Sequence, residues 1–464
     1  MGQILSNPLT EKTIYYQPFN GNDPSKYLQF FSGVGSMKGY RMTQEDSHLI
    51  CNGNNNHTKQ YSNEDESHKD EFTVTFRNPF NSEKFNKKEK LNISMFAVFD
   101  GHGNEKISTY LSKRLNYWIK WALENHNYNR YPPSDTKTEI NSKEKRWCRN
   151  FNTLQGLLAQ IFKDAFIYQD QELYKHFAKM QCGSTAIVLI IVNRKTIYCC
   201  NTGDSRCILS TKPTISQQQK IMSSPLNNNN HTANNKVGGV RNKMHLHRRN
   251  NSDNVSNNSV ANSNTKTANY EGNNATPRLS SSELVPYLNH KYCCVKSLSF
   301  DHKPLHIGEL IRINDNGGVV SLGRVGGVLA LSRAFGDFQF KKNNFVYHKS
   351  IPQEQQVSVE PDVIVHEIDY NKDEFLVLAC DGIWDVYSNR NLVQFVRYHL
   401  ALNIKFDEIV RKLLDRGISC ADSNTGAGFD NMTVMLVALN KPNESHEYWY
   451  SRIKNRLERE KRIV

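Results

Sequence analysis

This chain of 464 residues has no apolar run long enough to cross a membrane and no regular cysteine pattern. Its longest apolar run, residues 186–192, has seven residues, and a membrane-spanning helix needs about 20. The ten cysteines include no Cys-x-x-Cys pair, which argues against a zinc ribbon or a thioredoxin-type site. No signal-peptide pattern is present, so we expect reduced, buried thiols.

Apolar residues are also scarce, since they make up 38% of the chain. That fraction is low for a protein that is all core, and it indicates polar insertions within one large domain. The largest candidate, residues 211–290, contains 18 Asn, nine Lys or Arg and three Asp or Glu. Such a composition buries too little apolar surface to offset chain entropy. We therefore expect a disordered, basic insertion that hangs from the tip of a hairpin, with arms near residues 208–209 and 292–295.

Two short apolar runs end in the same dipeptide. Residues 94–99 (SMFAVF) precede Asp100-Gly101, and residues 375–380 (FLVLAC) precede Asp381-Gly382. Each run predicts a buried strand, because it is shorter than an ordinary helix. Carboxylates at such strand ends are partly desolvated, and they repel one another where they converge unless cations lie between them. The pattern favours a hard metal such as magnesium or manganese.

Asp-Gly is also a common turn, so one such sequence proves little. Two further acids stand at predicted strand ends: Asp204 follows the strand-like residues 197–202, and Asp430 precedes the apolar residues 432–439. Four acids placed in this way favour the metal site over four unrelated turns. Asp204 alone remains compatible with a plain hairpin turn.

At these residues the chain resembles the metal-dependent protein serine/threonine phosphatases of the protein phosphatase 2C family. The resemblance extends from about residue 33 to about residue 440, with the motifs in the family's order, and residues 311–340 resemble a fungal branch. The matching segments are residues 41–46 (RMTQED), 98–103 (VFDGHG), 183–186 (GSTA), 203–206 (GDSR), 329–337 (LALSRAFGD), 381–385 (DGIWD) and 430–433 (DNMT).

The resemblance implies an α+β fold: a four-layer sandwich of two antiparallel sheets, with a pair of antiparallel helices on each outer face. It also implies a cleft that holds two Mg²⁺ or Mn²⁺ ions. Asp100 would bridge both ions and the Gly101 carbonyl would bind one of them. Asp381 and Asp430 would bind the other ion.

The remaining roles also follow from the resemblance. Glu45 and Asp46 would act mainly through metal-bound waters. Arg41 would hold the substrate phosphate, for which its planar fork is suited. His102 would protonate the leaving oxygen, since imidazole is a plausible acid near neutral pH.

Two further acids, Asp204 and Asp385, resemble residues that hold a weaker third metal in some members. One departure from the family pattern is Asn104, which stands where a second glycine is usual after Gly103. Because Asn tolerates unusual backbone angles, we expect little effect on the site.

We expect an enzyme that hydrolyses phosphoserine and phosphothreonine by attack of a metal-activated water, which needs no thiol nucleophile. The rival is a catalytically inactive scaffold of the same fold that binds phosphoproteins. A more distant rival is a basic nucleic-acid-associated protein, because the net charge is +13. No aromatic-basic interleaving supports that reading, so we expect phosphorylated proteins and no specific nucleic acid as partners.

Four segments organise the chain: an N-terminal segment over 1–22, the catalytic domain over 23–440, the insertion over 211–290 within it, and a basic amphipathic C-terminal helix over 441–464. Helical periodicity also predicts helices over 154–166, 389–402 and 406–421. A strand is expected over 71–77.

The N-terminus fits the M-G-x-x-x-[ST] pattern for myristoylation of Gly2, which would give reversible membrane attachment. Ser252 follows two arginines in the insertion and would suit a basic-directed kinase, although the composition favours a plain polar spacer. We expect a cytoplasmic monomer, and the nucleus and the membrane surface stay open as further locations.

Overall fold

The computed structural model describes residues 4–16, 30–52, 73–80, 88–130, 150–212, 294–341 and 351–462. These ranges all belong to one unit, formed by 1–214 and 276–464, whereas a second unit over 215–275 lies outside them. The predictions for Gly2, for Ser252 and for the insertion beyond its first two residues therefore concern positions outside the described residues.

Most described strands belong to two large sheets. In chain order the strands are β1 Ile4–Tyr16, β2 Ser32–Arg41, β3 Ser47–Cys51, β4 Thr73–Arg77, β5 Lys88–Phe99, β6 Gly101–His102, β7 Asn129–Arg130, β8 Asn150–Phe151, β9 Gly183–Ser184, β10 Ala186–Val192, β11 Thr196–Thr202, β12 Arg206–Thr211, β13 Cys294–Ser297, β14 Val320–Ser321, β15 Arg324–Val325, β16 Phe335–Gly336, β17 Asp362–Glu367, β18 Phe375–Ala379 and β19 Met432–Ala438.

The helices of the described residues include the three that periodicity predicts in the chain interior. They are α1 Lys106–Asn125, α2 Leu154–Phe177, α3 Ile307–Asp315, α4 Asp381–Trp384, α5 Asn389–Ala401, α6 Phe406–Ser419 and α7 His446–Arg462. Thr153 caps α2 by accepting a hydrogen bond from the Gly156 N–H, and Ser388 caps α5 in the same way through the Asn391 N–H. These caps satisfy backbone donors that the first turn leaves open.

The first sheet has the strand order β1-β2-β19-β18-β12-β13, and the second has the order β17-β11-β10-β5-β3 with β4 also on β5. Every pairing in these two sheets is antiparallel. A third, short sheet has the order β16-β9-β6. Its strand β6 follows β5 in the chain, and the functional site depends on this sheet.

Alternation along the strands explains the layers. In β10, Ile187 and Leu189 face the first sheet, whereas Val188 and Ile190 face α1 and α2. Successive strand residues point to opposite faces, so a strand covered on both faces is apolar throughout. The result is the predicted order of layers: helices, sheet, sheet, helices. The α+β sandwich is confirmed.

The outer face of the first sheet carries more than the expected pair of helices. Besides α5 and α6, the C-terminal helix α7 packs there and buries Trp449, Ile453 and Leu457. The predicted helix thus docks on the domain through its apolar face. It begins at His446, because Pro442 and the left-handed Asn443 form a turn before it.

Both ends of the predicted insertion lie in adjacent strands. Antiparallel β12 and β13 pair Ile208 with Ser297 and Thr211 with Cys294. The predicted hairpin is confirmed, and Thr211 belongs to the sheet rather than to the insertion. Its hydroxyl donates a 2.6 Å hydrogen bond to Asp373.

The N-terminal segment also contributes structure, since β1 pairs along β2 as an edge strand. Its residues are mostly exposed or half-buried, which explains why no strong hydrophobic pattern marks it. The described cysteines form no disulfide bond with one another. None of the described helices has both the length and the apolar character needed to cross a membrane.

Candidate metal centre

Carboxylates from separate chain segments meet at one end of the sandwich, where strands end. Asp100 follows β5, Asp204 occupies the turn between β11 and β12, and Asp381 begins α4 just after β18. One oxygen from each of these three side chains lies within 4.8 Å of the other two. Asp100 also belongs to a second such group with Asp46 and Cys380. The two groups share Asp100, the residue expected to bridge two ions.

Asp100 is held by its backbone. Its N–H donates to the Thr185 hydroxyl at 3.2 Å, and its carbonyl accepts from the Thr185 N–H at 2.8 Å. Gly101 then starts β6 and lies against the loop that carries Glu45. A Cβ at Gly101 would stand 2.3 Å from the Glu45 carbonyl oxygen. Only glycine permits this close approach of the two segments.

The loop of Glu45 and Asp46 is fixed from the opposite side by residues around the start of β19. The Asn431 side chain accepts from the Glu45 N–H at 2.9 Å and donates to the Thr43 carbonyl at 3.0 Å. Asp46 is buried and accepts from the Thr433 hydroxyl at 2.7 Å. These contacts aim one carboxylate inward and leave Glu45 at the rim.

Arg41, the last residue of β2, forms an ion pair with Asp430 at 2.7 Å. Its Nε also donates to the Phe429 carbonyl at 3.3 Å. The Arg41 side chain is 31% exposed, so it lies at the edge of the acidic cluster. Asp430 belongs to neither close group among the described residues. Its charge nevertheless acts on both Asp100 and Asp381.

Asp204 and Asp385 lie near a cation that sequence analysis did not single out. Lys303 forms an ion pair with Asp204, which is buried. Asp385 follows the single turn of α4, and its backbone N–H donates to the Asp381 carbonyl at 2.8 Å. Burial raises the pKa of Asp385, as it does that of Asp381, and the Lys303 charge opposes the rise in both.

Three carboxyl groups of the cluster, those of Asp46, Asp100 and Asp381, ionise less readily than an ordinary carboxyl group. Burial, followed by the charges of neighbouring acids, raises the pKa of Asp100 and of Asp381 well above the usual range. Burial also raises the pKa of Asp46 from 3.8 to about 7, even though the Thr433 hydrogen bond lowers it. A bound cation would offset the repulsion between these converging carboxylates and would favour their ionised form.

The donors fit magnesium or manganese. The close groups consist of carboxylate oxygens apart from one thiol, Cys380. That thiol is buried, and burial raises its pKa well above the usual range, so it stays protonated. It already accepts from the Thr433 N–H at 3.1 Å. Hard cations prefer the oxygens, and Cys380 packs in the core as a small apolar side chain.

His102 ends β6 and contacts a second residue that sequence analysis had given no role. Its Nε2 lies 2.6 Å from Oδ2 of Asp337. Burial lowers the pKa of His102, but the charge and hydrogen bond of Asp337 outweigh it, so the pKa is raised overall. The Asp337 side chain is 2% exposed, whereas that of His102 is 27% exposed. The imidazole therefore contacts the buried Asp337 on one side and is accessible to solvent elsewhere.

One cysteine and one arginine have the sequence spacing of a thiol-dependent phosphatase but not its structure. Cys200 precedes Arg206 with five residues between them, the spacing of thiol-dependent phosphatases. Cys200 lies inside β11, is fully buried among the residues between the second sheet and α2, and burial raises its pKa well above the usual range. Arg206 is committed to Asp301 at 2.7 and 2.8 Å. A buried, protonated thiol is no nucleophile.

The predicted residues thus fall into two sets. Asp46, Asp100, Asp204 and Asp381 come together as close oxygen donors. Glu45, Asp385, Asp430, Arg41 and His102 surround them without joining the close groups. Sequence analysis missed the supporting contacts of Lys303 and Asp337. Asp337 could have been noticed from the sequence, because it is the polar residue after a glycine at the end of the motif over residues 329–337. No local pattern marked Lys303.

The chain is similar to known proteins over most of its length. The chain matches the family described as Protein phosphatase 2C over residues 31–236 and 287–426. It is 43% identical to Protein phosphatase 2C homolog 4 of Saccharomyces cerevisiae, with 100% of both chains covered. It is 29% identical to Protein phosphatase 2C homolog 2 of Schizosaccharomyces pombe, with 98% of this chain and 83% of the relative covered.

A solved structure supports the fold. The serine-threonine phosphatase 2C from Toxoplasma gondii aligns with a TM-score of 0.50 and 17% identity, over 92% of this chain and 99% of that one. The resemblance to a fungal branch is confirmed by the yeast relatives. With a family match over most of its length and a relative similar from end to end, this chain belongs to the protein phosphatase 2C family of protein serine/threonine phosphatases.

Proposed function

We propose that this chain hydrolyses phosphoserine and phosphothreonine in proteins at a centre of two Mg²⁺ or Mn²⁺ ions. The observation that carries the proposal is the convergence of Asp46, Asp100, Asp204 and Asp381 on one end of the sandwich, with three of these acids resisting ionisation. Bound ions would supply a nucleophilic water at neutral pH and charge stabilisation for the phosphoryl group.

The chain's own residues then have distinct tasks. Asp100 would hold both ions, the Gly101 carbonyl would bind one of them, and Asp381 with Asp430 would bind the other. Glu45 and Asp46 would orient waters, since one is at the rim and the other is buried and hydrogen-bonded. Lys303 already neutralises Asp204 in part, which supports a weaker third site at Asp204 and Asp385.

Arg41 and His102 would act on the substrate. The half-exposed guanidinium of Arg41 lies beside Asp430, where it can fork onto phosphate oxygens. The open side of the His102 imidazole would give a proton to the leaving oxygen of serine or threonine. Phosphorylated proteins are the proposed partners, and the net charge of +13 favours acidic ones. A monomer in the cytoplasm remains our proposal.

The test is hydrolysis of a phosphothreonine peptide with manganese, with magnesium and with excess chelator. We expect activity only with metal. Asp100→Asn and Asp381→Asn should each lower kcat by about 10²-fold or more, because a metal carboxylate is lost. The matched control is Asp315→Asn, an exposed acid at the end of α3, which should leave kcat unchanged.

Calorimetry of manganese binding separates loss of metal from loss of chemistry. The wild-type protein should bind manganese, and Asp381→Asn should bind it more weakly. Metal binding and phosphopeptide binding without hydrolysis would instead identify the inactive scaffold. Full activity in chelator would refute the metal-dependent mechanism.

A further inference from the structure

The short sheet β16-β9-β6 places one acidic residue directly behind the candidate proton donor. Its middle strand pairs with both outer strands at the same position: Gly183 is the partner of His102 on one side and of Gly336 on the other. Asp337 follows Gly336 in the chain. His102 and Asp337 are 235 residues apart in sequence, yet this register sets their side chains together across Gly183.

Gly183 provides the space for that contact. A Cβ at this position would stand 2.2 Å from Oδ2 of Asp337 and 2.5 Å from Nε2 of His102. Both distances are far below any real contact of a Cβ, and they involve the two atoms that form the hydrogen bond. The contact between the His102 and Asp337 side chains therefore requires glycine at position 183.

The position of Asp337 is fixed by several independent contacts. Its backbone is left-handed, with φ 50° and ψ 40°, which is uncommon for a residue other than glycine. Its N–H donates to the Cys182 carbonyl at 2.9 Å. Asp170, paired with Lys341 at 2.8 Å, accepts from the Gly336 N–H at 2.9 Å. The carboxylate of Asp337 thus has little freedom to leave the imidazole.

We propose that Asp337 is a positioning residue for His102, one that holds the imidazole with its Nε2–H on the carboxylate and its Nδ1 toward the reacting phosphoester. The inference rests on the proposed phosphatase function and deepens it. A carboxylate behind a histidine fixes the ring's tautomer and orientation in other sites as well. No metal or substrate contact of Asp337 is required.

Asp337 serves the proton transfer that accompanies cleavage of the phosphoester. A water oxygen bonds to phosphorus, the bond between phosphorus and the threonine oxygen breaks, and the electron pair of that bond stays on the threonine oxygen. The Nδ1 proton of the His102 imidazolium moves to that oxygen and yields the alcohol. The Nε2 proton stays between the imidazole and Asp337. A proton from the attacking water restores the imidazolium.

The experiment compares two substrates whose leaving groups differ in their need for a proton. Asp337→Asn should lower kcat on a phosphothreonine peptide by about 10- to 100-fold, as loss of a partner behind a histidine does. Nitrophenolate leaves without a proton, so kcat on p-nitrophenyl phosphate should change by less than about threefold. KM for the peptide should stay the same. His102→Gln should show the same selectivity, and the double variant should lose little more.

Two further variants keep the test decisive. Gly183→Ala retains both side chains but forces them apart, and it should reproduce the selective loss even if Asp337→Asn fails to fold. Asp315→Asn, the exposed control on α3, should leave kcat unchanged on both substrates. Equal losses on both substrates with Asp337→Asn and Gly183→Ala, or no loss on either, would overturn the proposal.

A measurement without turnover separates this inference from the proposed function. At a pH at which the His102 imidazole is neutral, nitrogen NMR of the metal-free protein should show the proton on Nε2 in the wild type, and a mixture of tautomers in Asp337→Asn. If the wild type hydrolyses neither substrate with manganese, the proposed function fails. An unchanged tautomer in Asp337→Asn would overturn the positioning role whatever the activity.

Discussion

Removing one buried charge from the acidic cluster should stabilise the metal-free fold. Asp46 is buried, and its pKa is raised from 3.8 to about 7, chiefly by burial. Between these two pH values the unfolded chain has released the Asp46 proton while the folded protein keeps it. Because the folded state binds more protons, the free energy of unfolding falls as pH rises.

The magnitude follows from the same two values. Each pH unit over that interval costs the metal-free fold about 1.4 kcal/mol, so the cost at neutral pH is about 4 kcal/mol. Asp46→Asn keeps an oxygen that can accept from the Thr433 hydroxyl and carries no charge. The variant should therefore gain up to about 4 kcal/mol over the wild type near pH 7, and nothing near pH 4.

The assay is urea unfolding in excess chelator, followed by tryptophan fluorescence, at several pH values from 4.5 to 7.5. The difference between Asp46→Asn and the wild type should grow with pH and level off above about 7. Saturating magnesium should reverse the order, since the metal-loaded wild type has its carboxylates ionised. The exposed control Asp315→Asn should follow the wild type. Parallel curves for Asp46→Asn and the wild type would refute the reasoning.

Three other predictions concern regions outside the cluster. Glu309 accepts from Arg333 at 2.7 Å and from Arg312 at 2.8 Å, so Glu309→Gln should lower the free energy of unfolding by about 2–3 kcal/mol, whereas exposed Glu124→Gln should not. Burial raises the pKa of Glu309, but the two arginines outweigh it and lower this pKa to about 2. The greater free energy of unfolding of the wild type over Glu309→Gln should therefore vanish as pH falls from about 4.5 toward 2, and a difference that is constant with pH would contradict this. Replacement of residues 213–290 by a Gly/Ser linker should leave melting temperature and peptide phosphatase activity largely unchanged, because closing a longer loop costs little; a large fall in kcat in soluble, metal-loaded protein would contradict it. Mass spectrometry of the native N-terminal peptide should find myristoyl on Gly2, and an unmodified Gly2 would refute that prediction.

How much was readable from the sequence differs between elements. The apolar runs before Asp100 and Asp381 predicted strands that the structure confirms as the end of β5 and as β18. The helices over residues 154–166, 389–402 and 406–421 were equally visible, since a buried stripe repeats every three to four residues. By contrast, β1 is an edge strand with few buried residues, so no periodic signal marked it.

Supporting contacts were invisible for a different reason. The pairing of Arg41 with Asp430 joins residues 389 apart, and the His102–Asp337 contact joins residues 235 apart. Neither has a local pattern, because each depends on how strands from distant parts of the chain are ordered and registered. The salt bridge of Lys303 with Asp204 likewise arises only where the turn after β11 meets the segment after β13.

The sequence by itself determined the layered α+β fold, the acids at strand ends and the family, since burial periodicity and short motifs are written in neighbouring residues. Only the tertiary structure decided which acids lie within 4.8 Å of one another, which of them are neutralised by Lys303 or Arg41, and which residue stands behind His102. Those outcomes depend on distances between strand ends. The packing of two sheets fixes such distances, and no local stretch of chain contains them.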